Sequence, residues 1–422
     1  MSSEPAQGAS LSASPSSVRL VFSETVEIAL ASVKLVHGAD TLTLAPLALD
    51  ASDPRVVIAP LHELGQGAYR IVWSLAARDG HVIRGEIAFA VGTPASVSGP
   101  GSSPEGISTV LQDETASARA AIGGAIGWIL TRWLGFISLF VLIGAVAFRF
   151  FVLRRVGEAE ADSFMQIAST NAATLGLVSA IGVLLSALLK LVHESSDMPD
   201  IGLSSMMFGS SWGLALTAQI LLAIIAAGAF RAAHGSNASA REVAWRVAFI
   251  TAVALGFTPA LGGHAIAGDS AYLAIPADVV HILAGSAWLG TLAVIVVVGI
   301  PAALKTPDMV RPGARVAKII NAFSPVALMC GGIVVATGLG SSVVRLPSVD
   351  ALWKTPYGVT LLLKLFFVAM LFGAGAWNWR RMRPRLTGDD AIAPLRSSAS
   401  FELILAAAVL GITAVLVALE LP

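Results

Sequence analysis

Two rhythms of apolar residues divide the chain. Before about residue 92 they alternate with polar ones, as in SVRLVFS, where Val18, Leu20 and Phe22 share a face. The pattern recurs in AYRIVWSLA (Tyr69, Ile71, Trp73, Leu75) and EIAFAVG (Ile87, Phe89, Val91). A period of two belongs to a strand with one face buried. PAQGAS, VHGAD, SDP, LGQGA and ARDG punctuate these runs with turn-forming residues, so the segment is expected to be a small antiparallel sandwich or barrel. Beyond about residue 121 the alternation gives way to eight apolar runs, at roughly 122–150, 171–192, 211–232, 244–262, 274–300, 316–340, 357–379 and 400–420. Each has about the 20 residues that cross a hydrocarbon core as a helix. The stretch between, from GTPASVSGPGSSPEG onward, is rich in Gly, Ser and Pro and reads as a flexible tether. The expected organisation is an all-β head over residues 1–92, a linker over 93–120, and an all-α polytopic membrane bundle of about eight helices over 121–422.

Composition agrees with lipid as the solvent. Of 422 residues, 55% are hydrophobic and 13% charged, against about 25% charged in soluble domains. The net charge of zero leaves no basic surplus to neutralise phosphates, which argues against a nucleic-acid partner. A single cysteine, Cys330, excludes a disulfide framework within the chain. Lysine and arginine are placed unevenly: the connections after odd-numbered runs carry fifteen, from Arg149 to Arg396, and the others only Arg345 and Lys354. The positive-inside rule then puts the odd connections in the cytoplasm, and both the head and the C-terminus outside. MSSEPAQGAS has neither a basic nor an apolar leader region, and an upstream segment carrying a signal peptide is expected.

Candidate chemistry gathers on the outer side. In the head, RDGHVIRGE places Asp79 and His81 two positions apart at the expected start of a strand, on one face. Cu(II) favours such nitrogen and oxygen donors, whereas an ordinary Asp-Gly turn followed by a surface histidine would need no function. In the fifth run, IPADVVHILAGSAWLG sets Asp278 and His281 three apart on one helical stripe, with His264 just upstream in LGGHAIAG. Ionisable groups in a span cost about 2.5–3.5 kcal/mol each at its centre, so they mark either a functional site or a polar cluster tying helices together. His193 ends the second run, and Met198, Met206 and Met207 follow it. Met329 and Cys330 lie near the middle of the sixth run. Imidazole, thioether and thiolate suit Cu(I), while mid-span methionine also serves as apolar filler.

The order of SSEPAQGASLSASPSSVRLVFSETVE followed by GAYRIVWSLAARDGHVIRGEIAFAVG resembles the CopC family of periplasmic copper-binding proteins. The resemblance covers almost the whole head and implies a cupredoxin-like β-sandwich, of Ig-like architecture, that binds Cu(II). It implies Asp79 and His81 as ligands, with a further histidine a few residues before Ser3 and Pro5, which the expected upstream segment would supply. GGHAIAGDSAYLAIPADVVHILAGSAWLGTL, FSPVALMCGGIVVATGLG and TPYGVTLLLKLFFVAMLFGAGAWNW are similar, in order, to the CopD family of integral membrane copper proteins. By that resemblance His264, Asp278 and His281 become copper-handling positions.

The reading that follows is a non-enzymatic copper binder and importer of the bacterial inner membrane. Copper would be Cu(II) in the head and either oxidation state in the bundle, and the chain's partners would be copper ions, the bilayer and periplasmic copper carriers. A haem-bearing electron carrier, with imidazoles on facing helices, and a copper sensor or scaffold that does not transport are the alternatives.

Overall fold

The computed structural model describes residues 1–22, 25–77, 82–92, 107–156, 163–262, 271–306, 311–346, 348–382 and 389–419. The chain divides into two compact units: residues 1–126, 191–217 and 261–271, and the remainder.

The first unit contains the head, whose described residues form nine strands: β1 (Ser2–Glu4), β2 (Ala9–Leu11), β3 (Ser17–Val21), β4 (Val26–His37), β5 (Asp40–Thr43), β6 (Ala48–Leu49), β7 (Val56–Pro60), β8 (Gly67–Ala77) and β9 (Val82–Val91). They form two sheets, ordered β1-β3-β7-β6 and β2-β9-β8-β4-β5. All pairings are antiparallel except that of β2 with β9. The alternation read in the sequence sets the core: Val18, Leu20, Phe22, Tyr69, Ile71, Trp73, Leu75, Ile87, Phe89 and Val91 are all buried in one cluster. Trp73 sits opposite Gly85, where a Cβ would lie 2.4 Å from its ring. Glycine is therefore required there by space, not by backbone angle.

Within the same unit, the head packs on the segment between the second and third apolar runs. Leu30 of β4 forms a small apolar cluster with Met198 and Met206, both almost fully buried, and with Ile201. Polar bonds surround it. Lys34 Nζ is 2.5 Å from Asp200, Arg84 is 3.5 Å from the Asp197 carboxylate, and Ser211 Oγ donates to Glu27 Oε1 at 3.0 Å. The head is thus held at its β4–β8–β9 sheet.

Among the described residues, eight helices are long and apolar enough to cross a membrane: α1 (Gly123–Val156), α2 (Ser163–Asp197), α3 (Ser211–Ala232), α4 (Ala238–Leu261), α5 (Tyr272–Lys305), α6 (Pro312–Arg345), α7 (Pro356–Met382) and α8 (Asp389–Leu416). Each overlaps one expected run. Two starts differ most from the hydropathy reading. The first helix begins upstream at Ile107, taking in the second half of the expected linker, because beyond Gly106 the sequence ISTVLQDETASARAA contains no glycine or proline. The last begins at Asp389 rather than near 400, since APLRSS can be polar and helical at once.

In the second unit, small residues bring helices together. A Cβ on Gly144 of α1 would meet the Gly290 backbone of α5 at 2.1 Å, and Gly182 of α2 sits against Ser138 of α1. Lipid offers no hydrophobic drive between helices, so such close backbone approach supplies the packing. The backbone of α5 widens into π-helical turns at Ser286–Gly290 and Ile295–Gly299, the first of them at this crossing.

Two outcomes test this packing. Gly85→Ala should destabilise the head by about 1–3 kcal/mol through overpacking on Trp73, read as faster hydrogen exchange in β8 and β9 of the full chain. Met206→Ala should loosen residues 198–208 far more than Lys34→Ala, because truncating a buried side chain costs about 2–5 kcal/mol and a surface ion pair about 0–1. Equal effects on exchange in that segment would show that the ion pair carries the docking.

Candidate functional site

The fifth span is apolar for most of its length, with Asp278 and His281 in its first three turns. Three residues apart on a helix, they share a face. That face meets a polar stripe on α6, where Thr337, Ser341 and Arg345 recur every four residues. Asp278 Oδ2 receives a bond from Arg345 Nη2 at 2.5 Å, and Ser341 Oγ lies 3.5 Å from Asp278 Oδ1. Tyr357, at the start of α7, and Lys364, two turns further along, both bear electrostatically on Arg345, and Lys364 also on Asp278. Three consecutive spans therefore bring polar side chains to one place. Both members of the ion pair keep some exposure, 22% for Asp278 and 25% for Arg345.

The hydrogen bonds of His281 carry chemical information. Its Nδ1 is 2.8 Å from Thr337 Oγ1, and that hydroxyl donates its proton to the Ile333 carbonyl at 2.7 Å. A hydroxyl has one proton to give, so towards His281 it accepts. Nδ1 thus carries the hydrogen and Nε2 keeps its lone pair, which is the tautomer that a metal or proton can use. Gly338 leaves room beside the ring: a Cβ there would stand 3.4 Å from His281 Cε1.

Asp278 is different. Its carboxylate is already compensated by a guanidinium, as burial in an apolar span demands. Among the described residues no three His, Cys, Asp or Glu side chains gather closely enough to hold a metal ion. The open donor of the cluster is His281 Nε2, and Asp278 joins it only when Arg345 lets go.

The other expected residues fall apart into separate surroundings. His264 lies outside the described residues, as do Asp79 and His81. The hairpin of β8 and β9 is paired as far as Ala76 opposite Val82, and residues 78–81 are the chain between those ends. His193 faces Asp197 one turn on, at 3.8 Å. Met198 and Met206 are spent on the apolar contact with Leu30, while Met207 is half-buried. Met329 and Cys330 do not form the pair of sulfurs that their adjacency suggested. Successive helical positions point about 100° apart, so Cys330 is buried in the core while Met329 is 62% exposed.

Sequence reading missed the partners. Arg345 counts there only as a loop charge, and Thr337, Ser341 and Tyr357 go unremarked. The signal was present, since 337, 341 and 345 repeat at helical spacing in an otherwise apolar run.

Comparison with known proteins gives the chain its relatives. The CopC domain matches residues 1–92, the Copper resistance protein D-like N-terminal domain 122–275, and Copper resistance protein D 317–416. Copper transport protein CutJ of Bacillus subtilis (strain 168) is 26% identical over 390 residues, 88% of this chain and 66% of that protein, so the chain spans just under two thirds of this relative's length. Copper resistance protein C of Pseudomonas syringae pv. tomato is 35% identical over 98 residues, 22% of this chain and 77% of that protein. A crystal structure of CopC from Methylosinus trichosporium OB3b shares 26% identity, covering 22% of this chain and 89% of that one, with a TM-score of 0.20. The chain belongs to the CopC/CopD copper-resistance family, as a CopC domain fused to a CopD-type multi-span membrane domain.

Proposed function

We propose that this protein binds copper on the outer side of the cytoplasmic membrane and passes it inward through its helical bundle. The head, residues 1–92, captures Cu(II) with Asp79 and His81 of the β8–β9 connection among the ligands. The membrane domain receives copper at a site built on His281 and Asp278, with His264 contributing from the same end of α5. The observation that supports this most is the convergence of Asp278 and His281 with the Thr337–Ser341–Arg345 stripe, inside spans that are otherwise apolar.

Arg345 gives the site a logic. A guanidinium on Asp278 is a resident cation, and an incoming copper ion takes its place beside the carboxylate while His281 Nε2 supplies a nitrogen donor. If the guanidinium, at the end of α6, swings out to water as Cu(I) enters, one positive charge replaces another beside Asp278, which limits the cost of placing the ion in low dielectric. The sequence contains no Walker phosphate loop, so inward movement is driven by the ion gradient and the membrane potential. The latter is worth about 2.3 kcal/mol per charge per 100 mV. The head and both termini face outward, as the fifteen-to-two distribution of loop cations supports.

Copper accumulation in cells tests the reading. His281→Ala and Asp278→Asn should each bring uptake down at least about tenfold, towards the level of cells lacking the protein, at equal amounts of protein in the membrane. Undiminished uptake in both variants would remove copper passage at this site. His81→Ala should abolish Cu(II) capture by the head and slow uptake only when copper is scarce.

A further inference from the structure

At the opposite end of the bundle, α1 and α4 flank an open groove of about 380 Å³ lined by Phe150, Phe151, Arg154, Arg246, Phe249 and Ile250. All six belong to the same compact unit. Its apolar part is aromatic: Phe249 makes edge-on contacts with Phe150 at 5.3 Å and with Phe151 at 6.5 Å. Phe151 and Ile250 are 41% and 67% exposed, on helices of membrane-spanning length. Its polar part is cationic. Arg154 lies over the Phe150 ring at 4.6 Å and bonds Glu242 Oε1 at 2.6 Å. Arg246 Nε is 3.6 Å from the same oxygen, and Arg149 Nη2 reaches Glu242 Oε2 at 3.4 Å.

Charge decides what fits here. Among the described residues the two exposed guanidiniums, Arg154 and Arg246, share the carboxylate of Glu242, so together they exceed it by one positive charge beside an apolar floor. The Arg154 and Arg246 side chains are 50% and 67% exposed, so their donors remain open to a ligand. A soluble anion would use the guanidiniums and leave the phenylalanines bare. A molecule with a phosphate at one end and an alkyl chain at the other satisfies both halves. Basic pockets between spans on the cytoplasmic side are where anionic headgroups are held. We infer that this groove is a binding site for one anionic phospholipid, its phosphate on Arg154 and Arg246 and its acyl chain against Phe150, Phe151 and Phe249.

The full chain, purified in mild detergent, is tested with added phosphatidylglycerol, phosphatidylcholine or inorganic phosphate, retained lipid being read by native mass spectrometry. One phosphatidylglycerol per chain should be retained in preference to phosphatidylcholine, and inorganic phosphate at equal concentration should not displace it. The pair Arg154→Gln with Arg246→Gln should weaken retention about thirtyfold, at roughly 1 kcal/mol for each cation. The pair Arg154→Lys with Arg246→Lys, which keeps the charge and guards against misfolding as the cause, should retain most of it. Arg231→Gln with Arg241→Gln, outside the groove, should change nothing. Displacement by phosphate would identify a soluble-anion site instead. Equal loss in both glutamine pairs would reduce the effect to general surface charge. No retained lipid at all would mean that the groove's charge is met within the protein, residues 157–162 carrying Glu158, Glu160 and Asp162 nearby in sequence. Each of these three results overturns the proposal.

Discussion

A carboxylate carried into a hydrocarbon span must meet a cation or a set of donors, and the membrane half of this protein is organised around one such meeting. Asp278 on α5 is held by Arg345 of α6, which Tyr357 of α7 influences electrostatically. Removing one partner of a buried ion pair costs about 3–5 kcal/mol, because the other is left uncompensated. The bonds between α5 and α6 set the rotation of one helix against the other and bring His281 onto Thr337. The tautomer of His281, and with it a free Nε2 lone pair, follows from that arrangement. The same polar contacts that tie the helices would supply the proposed chemistry, so one arrangement serves both the structural and the proposed functional reading of this cluster.

The two ends of the chain's chemistry are built on different principles. The head is held to the segment after α2 by a buried Leu30–Met198–Met206 contact edged with ion pairs. Methionine suits such a surface because its flexible thioether fills irregular gaps. At the other end of α1 and α4, arginines and phenylalanines make a seat in which charge and apolar surface adjoin. The bundle thus carries sites of different character: an ion pair with an imidazole near one end, and exposed guanidiniums beside phenylalanines near the other.

Much of this was legible in the residues. Alternation in SVRLVFS, AYRIVWSLA and EIAFAVG named ten core positions of the sandwich, and all ten are buried. Eight runs gave eight helices, because length and hydropathy are what a bilayer selects. Asp278 and His281 stood out by their cost in a span. Less legible was what they would touch, since a single sequence does not say which face of α6 turns towards α5. Arg345 read as a loop charge because hydropathy ended the sixth run near residue 340, while the helix continues to Arg345. Adjacency in sequence misled at Met329 and Cys330, where neighbours on a helix diverge. The methionines after α2 suggested metal ligands by type, and three-dimensional packing gives two of them a neighbour, Leu30, from far away in the chain.

The central claim is that His281 and Asp278 become copper ligands when Arg345 is displaced. The most direct measurement is copper X-ray absorption on the full chain carrying His81→Ala, so that the head no longer contributes, compared with the same protein also carrying His281→Ala. The account requires bound copper with an imidazole signature in the first sample and its loss in the second. Copper bound with the same stoichiometry and spectrum in both would contradict it.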